Sequence, residues 1–127
     1  MIVLDASVVI ALLDGADAHH ARAVQVIEDA QDRHEELAMS PVTIAEILVG
    51  PARAGRDEAV LEDLGHLGIR ETALGSPRRL AALRVSTGLR LPDCCVLLAA
   101  EDASGADVAT FDDRLAGAAR ARGLRVR

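Results

Sequence analysis

Short strands are predicted at residues 1–5, 37–39, 69–73 and 107–111, the first an apolar run ending in a carboxylate, with helix-length stretches between them. An aliphatic run without polar alternation marks a strand whose sheet is covered on both faces. Strand and helix in alternation predict a parallel sheet sandwiched by helices, an α/β fold. A last short run at 124–126 brings the expected sheet to about five strands. The helix over 6–13 is apolar all round and reads as buried. The helix over 17–33 places Ala21, Val24, Ile27 and Ala30 on one face. Ser40-Pro41 starts a third helix, which Pro51 is expected to break or end early. Further helices are predicted over 57–67, 76–88, 92–104 and 112–122, the one over 92–104 nearly all apolar from Cys94 to Ala100.

At 127 residues the chain makes one domain, 1–127. It has a single aromatic residue, Phe111, and 24 alanines, so the core must be built from small aliphatic side chains. All 14 basic residues are arginine. Without lysine there is no phosphate-binding Walker loop, no Schiff-base nucleophile and no kinase strand lysine. The net charge of −6 disfavours a protein that coats nucleic acid by charge alone. The charge is uneven: residues 1–50 carry nine acids against two arginines, whereas 76–92 carry four arginines (Arg78, Arg79, Arg84, Arg90) and no acid. Cys94 and Cys95 are adjacent and have no spaced partner, which excludes a disulfide frame or zinc site. The opening MIVLDASVV has neither a leader pattern nor a membrane span, and a reduced cytoplasmic setting is expected.

Chemistry must come from the acids. Asp5 ends the first strand and Asp112 follows the fourth. Asp93 opens the apolar helix behind Pro92, and Glu46 lies among Val42, Ile44, Ala45, Ile47 and Leu48. Asp93 and Asp112 could each serve only as helix-terminal acids, and Glu46 as a polar helix edge. Asp5 is harder to explain that way, because the carboxyl ends of strands are where α/β folds place their sites. If the four converge, each pair at about 4 Å repels by roughly 4 kcal/mol at an effective dielectric of 20. A hard divalent cation offsets that, and all-oxygen ligands select Mg²⁺ or Mn²⁺. Such a centre suits phosphodiester hydrolysis.

Four segments in order, Val3-Leu4-Asp5-Ala6-Ser7, Thr43-Ile44-Ala45-Glu46-Ile47-Leu48, Leu91 to Ala100 around Asp93, and Ala109-Thr110-Phe111-Asp112-Asp113-Arg114-Leu115, resemble a PIN-domain ribonuclease of the VapC toxin type. The resemblance implies a three-layer α/β/α fold and metal-dependent endonucleolytic cleavage of RNA, leaving 5′-phosphate and 3′-hydroxyl ends. It implies that Asp5, Glu46, Asp93 and Asp112 form the acidic quartet, with Asp5, Asp93 and Asp112 as metal ligands and Glu46 orienting a water or second ion. Ser7 and Thr110 match the small hydroxyl positions beside the acids. It also implies a VapB-type antitoxin partner and a homodimer. The chain departs from the family's pattern in having Leu115 where an aromatic residue is common. It also has a second acid, Asp113, beside Asp112. Asp112 keeps the Thr-x-Asp spacing.

Arg90 and Arg114 lie nearest the acids in sequence and are the picks for phosphate contact. The lack of aromatics argues for recognition of a folded RNA by shape and backbone. Leu12, Leu13, Ile47, Leu48, Val60, Leu61 and Leu64 are candidates for an exposed apolar groove, where the resemblance suggests an antitoxin segment. Two rivals stand beside the nuclease. A phosphoacceptor domain leans on a lysine that this chain lacks. A non-catalytic PIN-like binding module should have lost one acid of the quartet, and all are present. Alanine at Asp5 or Asp93 is expected to abolish cleavage while leaving the fold intact or more stable.

Overall fold

A computed structural model describes all residues, Met1–Arg127. The elements run β1 (Ile2–Leu4), α1 (Ala6–Leu13), α2 (His20–Asp32), β2 (Leu37–Met39), α3 (Pro41–Arg53), α4 (Asp57–His66), β3 (Ile69–Glu71), α5 (Pro77–Thr87), α6 (Leu91–Asp102), β4 (Asp107–Ala109) and α7 (Asp113–Ala121). The strands form one sheet in the order β3-β2-β1-β4, and every pairing is parallel. The chain steps outward from β1 to β2 to β3, then returns to the other side of β1 to lay down β4. That reversal opens a crevice beyond the carboxyl ends of β1 and β4, where open α/β sheets hold their sites.

Alternation along β1 divides the core in two. Ile2 and Leu4 enter a cluster with Val8, Val9, Val26, Ile27, Met39, Ile47 and Leu64, contributed by α1–α4 and the sheet. Val3 enters the opposite cluster with Leu83, Val96, Leu97, Val108, Leu115 and Ala119, contributed by α5–α7. The sheet is thus covered on both faces at its centre, where β1 and β2 are wholly apolar; the edge strand β3 carries exposed Arg70 and Glu71.

Several expectations shift. The sheet has four strands; residues 124–126 add only an isolated bridge, Val126 to Val108. α1 is not buried all round: Ile10 is 48% exposed and Leu13 42%. α2 buries Ala23, Val26, Ile27 and Ala30, a stripe out of phase with the one expected. Pro51 does not break α3, which carries it in the last turn and ends after Arg53. A proline this close to the C-terminus removes one hydrogen bond and leaves almost no helix beyond it to disrupt. Of the groove candidates, Ile47, Val60 and Leu64 are core residues, and Leu13 and Leu61 are exposed. The arginines of 76–92 do not make one face: Arg79 pairs with Glu101 and Asp102, while Arg84 donates to the Leu89 carbonyl at 2.5 Å. No helix is long and apolar enough to cross a membrane.

Candidate active site

The end of β1 and the end of β4 meet through the backbone, where Asp5 N–H donates to the Ala109 carbonyl at 2.9 Å. This brings Asp5 beside Thr110 although 105 positions separate them. Asp5 is buried, and two hydroxyls hold its Oδ2: Ser7 Oγ donates at 2.7 Å and Thr110 Oγ1 at 2.8 Å. Both hydroxyls are used twice. Ser7 Oγ accepts the Phe111 N–H at 3.0 Å, and Thr110 Oγ1 accepts the Asp112 N–H at 3.0 Å. The same bonds that aim Asp5 therefore fix the turn leading to Asp112. Phe111, the lone aromatic, stacks on His19 at a centroid distance of 4.7 Å, which ties the α1–α2 loop to this turn. Sequence reading put Phe111 inside the strand and gave His19 no part near the site; nothing in their spacing signals the stack.

Asp112 caps α7, its Oδ1 accepting from the N–H groups of Arg114 and Leu115 at 2.8 and 3.0 Å. The capping role and a cleft position coexist, since Oδ2 is left over. Asp93 stands in the first turn of α6 and is buried. Glu46 projects from α3. Asp5, Ser7, Ile10, Glu46, Arg90, Asp93 and Asp112 line one cleft. Thr110 lies behind Asp5. Asp113 and Arg114 are exposed on the far side of the α7 start, lining a separate depression with Ser86, Thr87 and Leu89. Arg114 donates Nη2 to the Gly88 carbonyl at 3.3 Å. The two thiols, Cys94 and Cys95, are buried in α6, and burial pushes both up.

The electrostatics of the cleft are those of too many acids. Burial raises the Asp93 carboxyl above its ordinary range; the Arg90 charge opposes this, and the charges of Asp5 and Asp112 reinforce it. Burial likewise raises Glu46, against Arg90 and with Asp5 and Asp93. In both, burial is the largest cause and the neighbouring acids add to it. Oxygens remain for a cation: Asp5 keeps Oδ1, Asp112 keeps Oδ2, and Asp93 meets only Arg90, with Nε 3.6 Å from Oδ2. This all-oxygen set fits a hard divalent ion. No three of the acids stand close enough together here to grip one ion.

Comparison with known proteins adds three findings. A family model described as "PIN domain" matches residues 2–121. No curated protein matches significantly in sequence. Among solved structures the chain is similar to a toxin–antitoxin complex from Klebsiella pneumoniae (20% identity, 92% of each chain, TM-score 0.70). It is similar to VapC20 of Mycobacterium tuberculosis, described as a sarcin–ricin-loop-cleaving toxin (16% identity, 93% of this chain and 95% of that one, TM-score 0.68). It is also similar to VapBC-1 from nontypeable Haemophilus influenzae (17% identity, 100% and 97%, TM-score 0.67). At these identities the likeness establishes the fold.

Proposed function

The chain belongs to the PIN-domain family, and from that premise we propose that it is a metal-dependent endoribonuclease, the toxin of a toxin–antitoxin pair, working as a single PIN domain. One observation carries the reading. Four carboxylates, from the ends of β1 and β4, from α3 and from α6, line a single cleft at the switch point of the sheet. The solved structures that resemble the fold are toxins and toxin–antitoxin complexes, which supports the biological setting.

Asp5, Asp93 and Asp112 would hold Mg²⁺ or Mn²⁺, and Glu46 would orient a water or second ion. When bound, the ion supplies Lewis acidity, lowering the pKa of a water and balancing charge on the scissile phosphate. Ser7 and Thr110 keep the Asp5 carboxylate in one orientation, so its free oxygen is preorganised. Asp112 is pinned by its own capping bonds. Glu46, the longest of the four acid side chains, lines the same cleft and would orient the water by hydrogen bonding. Arg90 at the cleft, and Arg114 beyond it, would take the RNA phosphates; Asp113, exposed beside them, supports the α7 terminus. With one aromatic residue, already stacked on His19, the grip on RNA is by backbone and shape. A VapB-type antitoxin and a second copy of the chain are the expected protein partners.

The test is incubation of antitoxin-free protein with end-labelled structured RNA and Mg²⁺ or Mn²⁺, beside lanes with EDTA or the Asp93→Ala variant. Discrete cuts that vanish in both controls are expected. Intact RNA in every lane, together with no calorimetric metal binding, would sink the enzymatic reading.

A further inference from the structure

The cleft already contains one cation, supplied by the chain. Arg90 occupies the N-cap position of α6 in extended backbone, φ −65° and ψ 155°, but its side chain makes no capping bond. Leu91-Pro92 follows, and the proline ring stiffens the helix entrance beneath it. The guanidinium reaches forward to Asp93, with Nε 3.6 Å from Oδ2, while its side chain stays 69% exposed. At that distance the contact is an ion pair without a hydrogen bond. It differs from the other arginines nearby. Arg79 is bonded to two acids, Arg84 to the Leu89 carbonyl and Arg114 to the Gly88 carbonyl. Arg90 alone is loosely held and aimed at the quartet.

A guanidinium and a divalent ion cannot share one carboxylate without strong repulsion. We propose that Arg90 is the resident counter-ion of the metal-free cleft, that it gives up Asp93 when the divalent ion binds, and that the displaced guanidinium becomes free to meet the RNA phosphate. This rests on the metal-dependent nuclease reading above. The exposure of the side chain makes the exchange easy, since it swings through solvent on a fixed root. Arginine suits both stations, because its planar fork matches carboxylate and phosphate alike.

Calorimetric titration of Mn²⁺ into the RNA-free protein tests the exchange apart from catalysis. Arg90→Gln is expected to bind Mn²⁺ about fivefold tighter, the ceiling for an exposed ion pair. Arg78→Gln removes the same charge from α5 outside the cleft and is expected to leave affinity unchanged. Arg90→Lys keeps the charge and is expected to stay near the unsubstituted chain. A second readout is the ¹⁵N cross-peak of the Arg90 side-chain Nε–H, assigned by its loss in Arg90→Lys. Mg²⁺ is expected to move it to the position of a free, solvated arginine. An Arg90→Gln variant that binds no tighter than Arg78→Gln, or a cross-peak that Mg²⁺ does not move, would overturn the proposal. Failure of every chain, unsubstituted and variant, to bind either ion would instead overturn the metal-dependent reading beneath it.

Discussion

The two ends of the parallel sheet handle buried carboxylates in opposite ways. At the amino end, Asp107 opens β4 with its side chain 9% exposed. Arg125 donates Nε to both of its oxygens at 2.9 Å, and Arg127 donates to Oδ2 at 2.5 Å before reaching Glu35 at 2.7 Å. Burial alone would raise Asp107; the bonds and charges of the two arginines outweigh it and lower the carboxyl below its ordinary value. At the carboxyl end, Asp93 is as deeply buried, yet it has one distant arginine and several acids, and it is raised. The residue type and burial are alike, and the neighbours decide the sign. One end is a clamp that spends its charges on stability; the other leaves charges unmet, and that deficit is what a cation can fill.

Breaking the deficit should give the largest effect. Asp93→Asn is expected to lower RNA cleavage at least roughly a thousandfold, the loss of several kcal/mol of transition-state stabilisation. In metal-free protein its Tm should equal or exceed that of the unsubstituted chain, because one repelling charge is gone. A large fall in Tm would mean that Asp93 belongs to the clamp class.

Breaking the clamp should do the reverse. Asp107→Ala leaves Arg127, 16% exposed, without its main partner. A loss of about 3 kcal/mol in urea unfolding is expected. Single-turnover cleavage by the folded fraction should be unchanged, and a slower rate would tie the two ends together.

Titration sharpens the contrast further. Asp107, lowered in the fold, contributes stability that is fully present above the unfolded value of about 3.9 and is lost as pH falls through its lower folded value. Asp93, raised in the fold, works the other way in metal-free protein. Its destabilisation is absent below the unfolded value and grows as pH rises through the raised one. Urea midpoints of Asp93→Asn and the unsubstituted chain should therefore coincide near pH 3 and separate as pH rises to neutrality. For Asp107→Ala the gap should narrow only toward the acid extreme.

The smallest effect concerns the hydroxyls. The sequence reading expected alanine at either Asp5 or Asp93 to leave the fold intact or more stable; the surroundings of the two differ. Asp5 is bonded by Ser7 and Thr110, so its removal strands two donors. Ser7→Ala, which keeps the acid and drops one donor, should cost about 1 kcal/mol of stability. It should also slow cleavage while sparing the Asp93 ion pair; an unchanged rate would show that Thr110 orients Asp5 unaided.

The strands, the helices and the acidic quartet were legible because each leaves a local mark. β1 and β2, covered on both faces, are uninterrupted apolar runs, and Asp5, Asp93 and Asp112 stand at element ends where a carboxylate is conspicuous. What stayed hidden depends on distant partners. The clamp joins Glu35 to Arg127 across 92 positions, and no spacing rule relates them. The face of α2 was misphased because alanines at 21, 23 and 30 carry little phase information, leaving Val24 to compete with Val26. Ile10 was assigned to the core because hydrophobicity does not distinguish an interior from the rim of a cleft. The 124–126 strand dwindled to one bridge where Arg125 and Arg127, flanking Val126, turn to Asp107.

The position of β1 has a consequence for synthesis. β1 is paired on both sides, and its second partner is β4, more than 100 positions later. A nascent chain that has not yet released Thr110 lacks the donor that orients Asp5, and it lacks Asp112 altogether. Partners this distant in the chain fold late, because the loop must close before the contact exists. The cleft therefore cannot close until β4 and the residues after it have emerged.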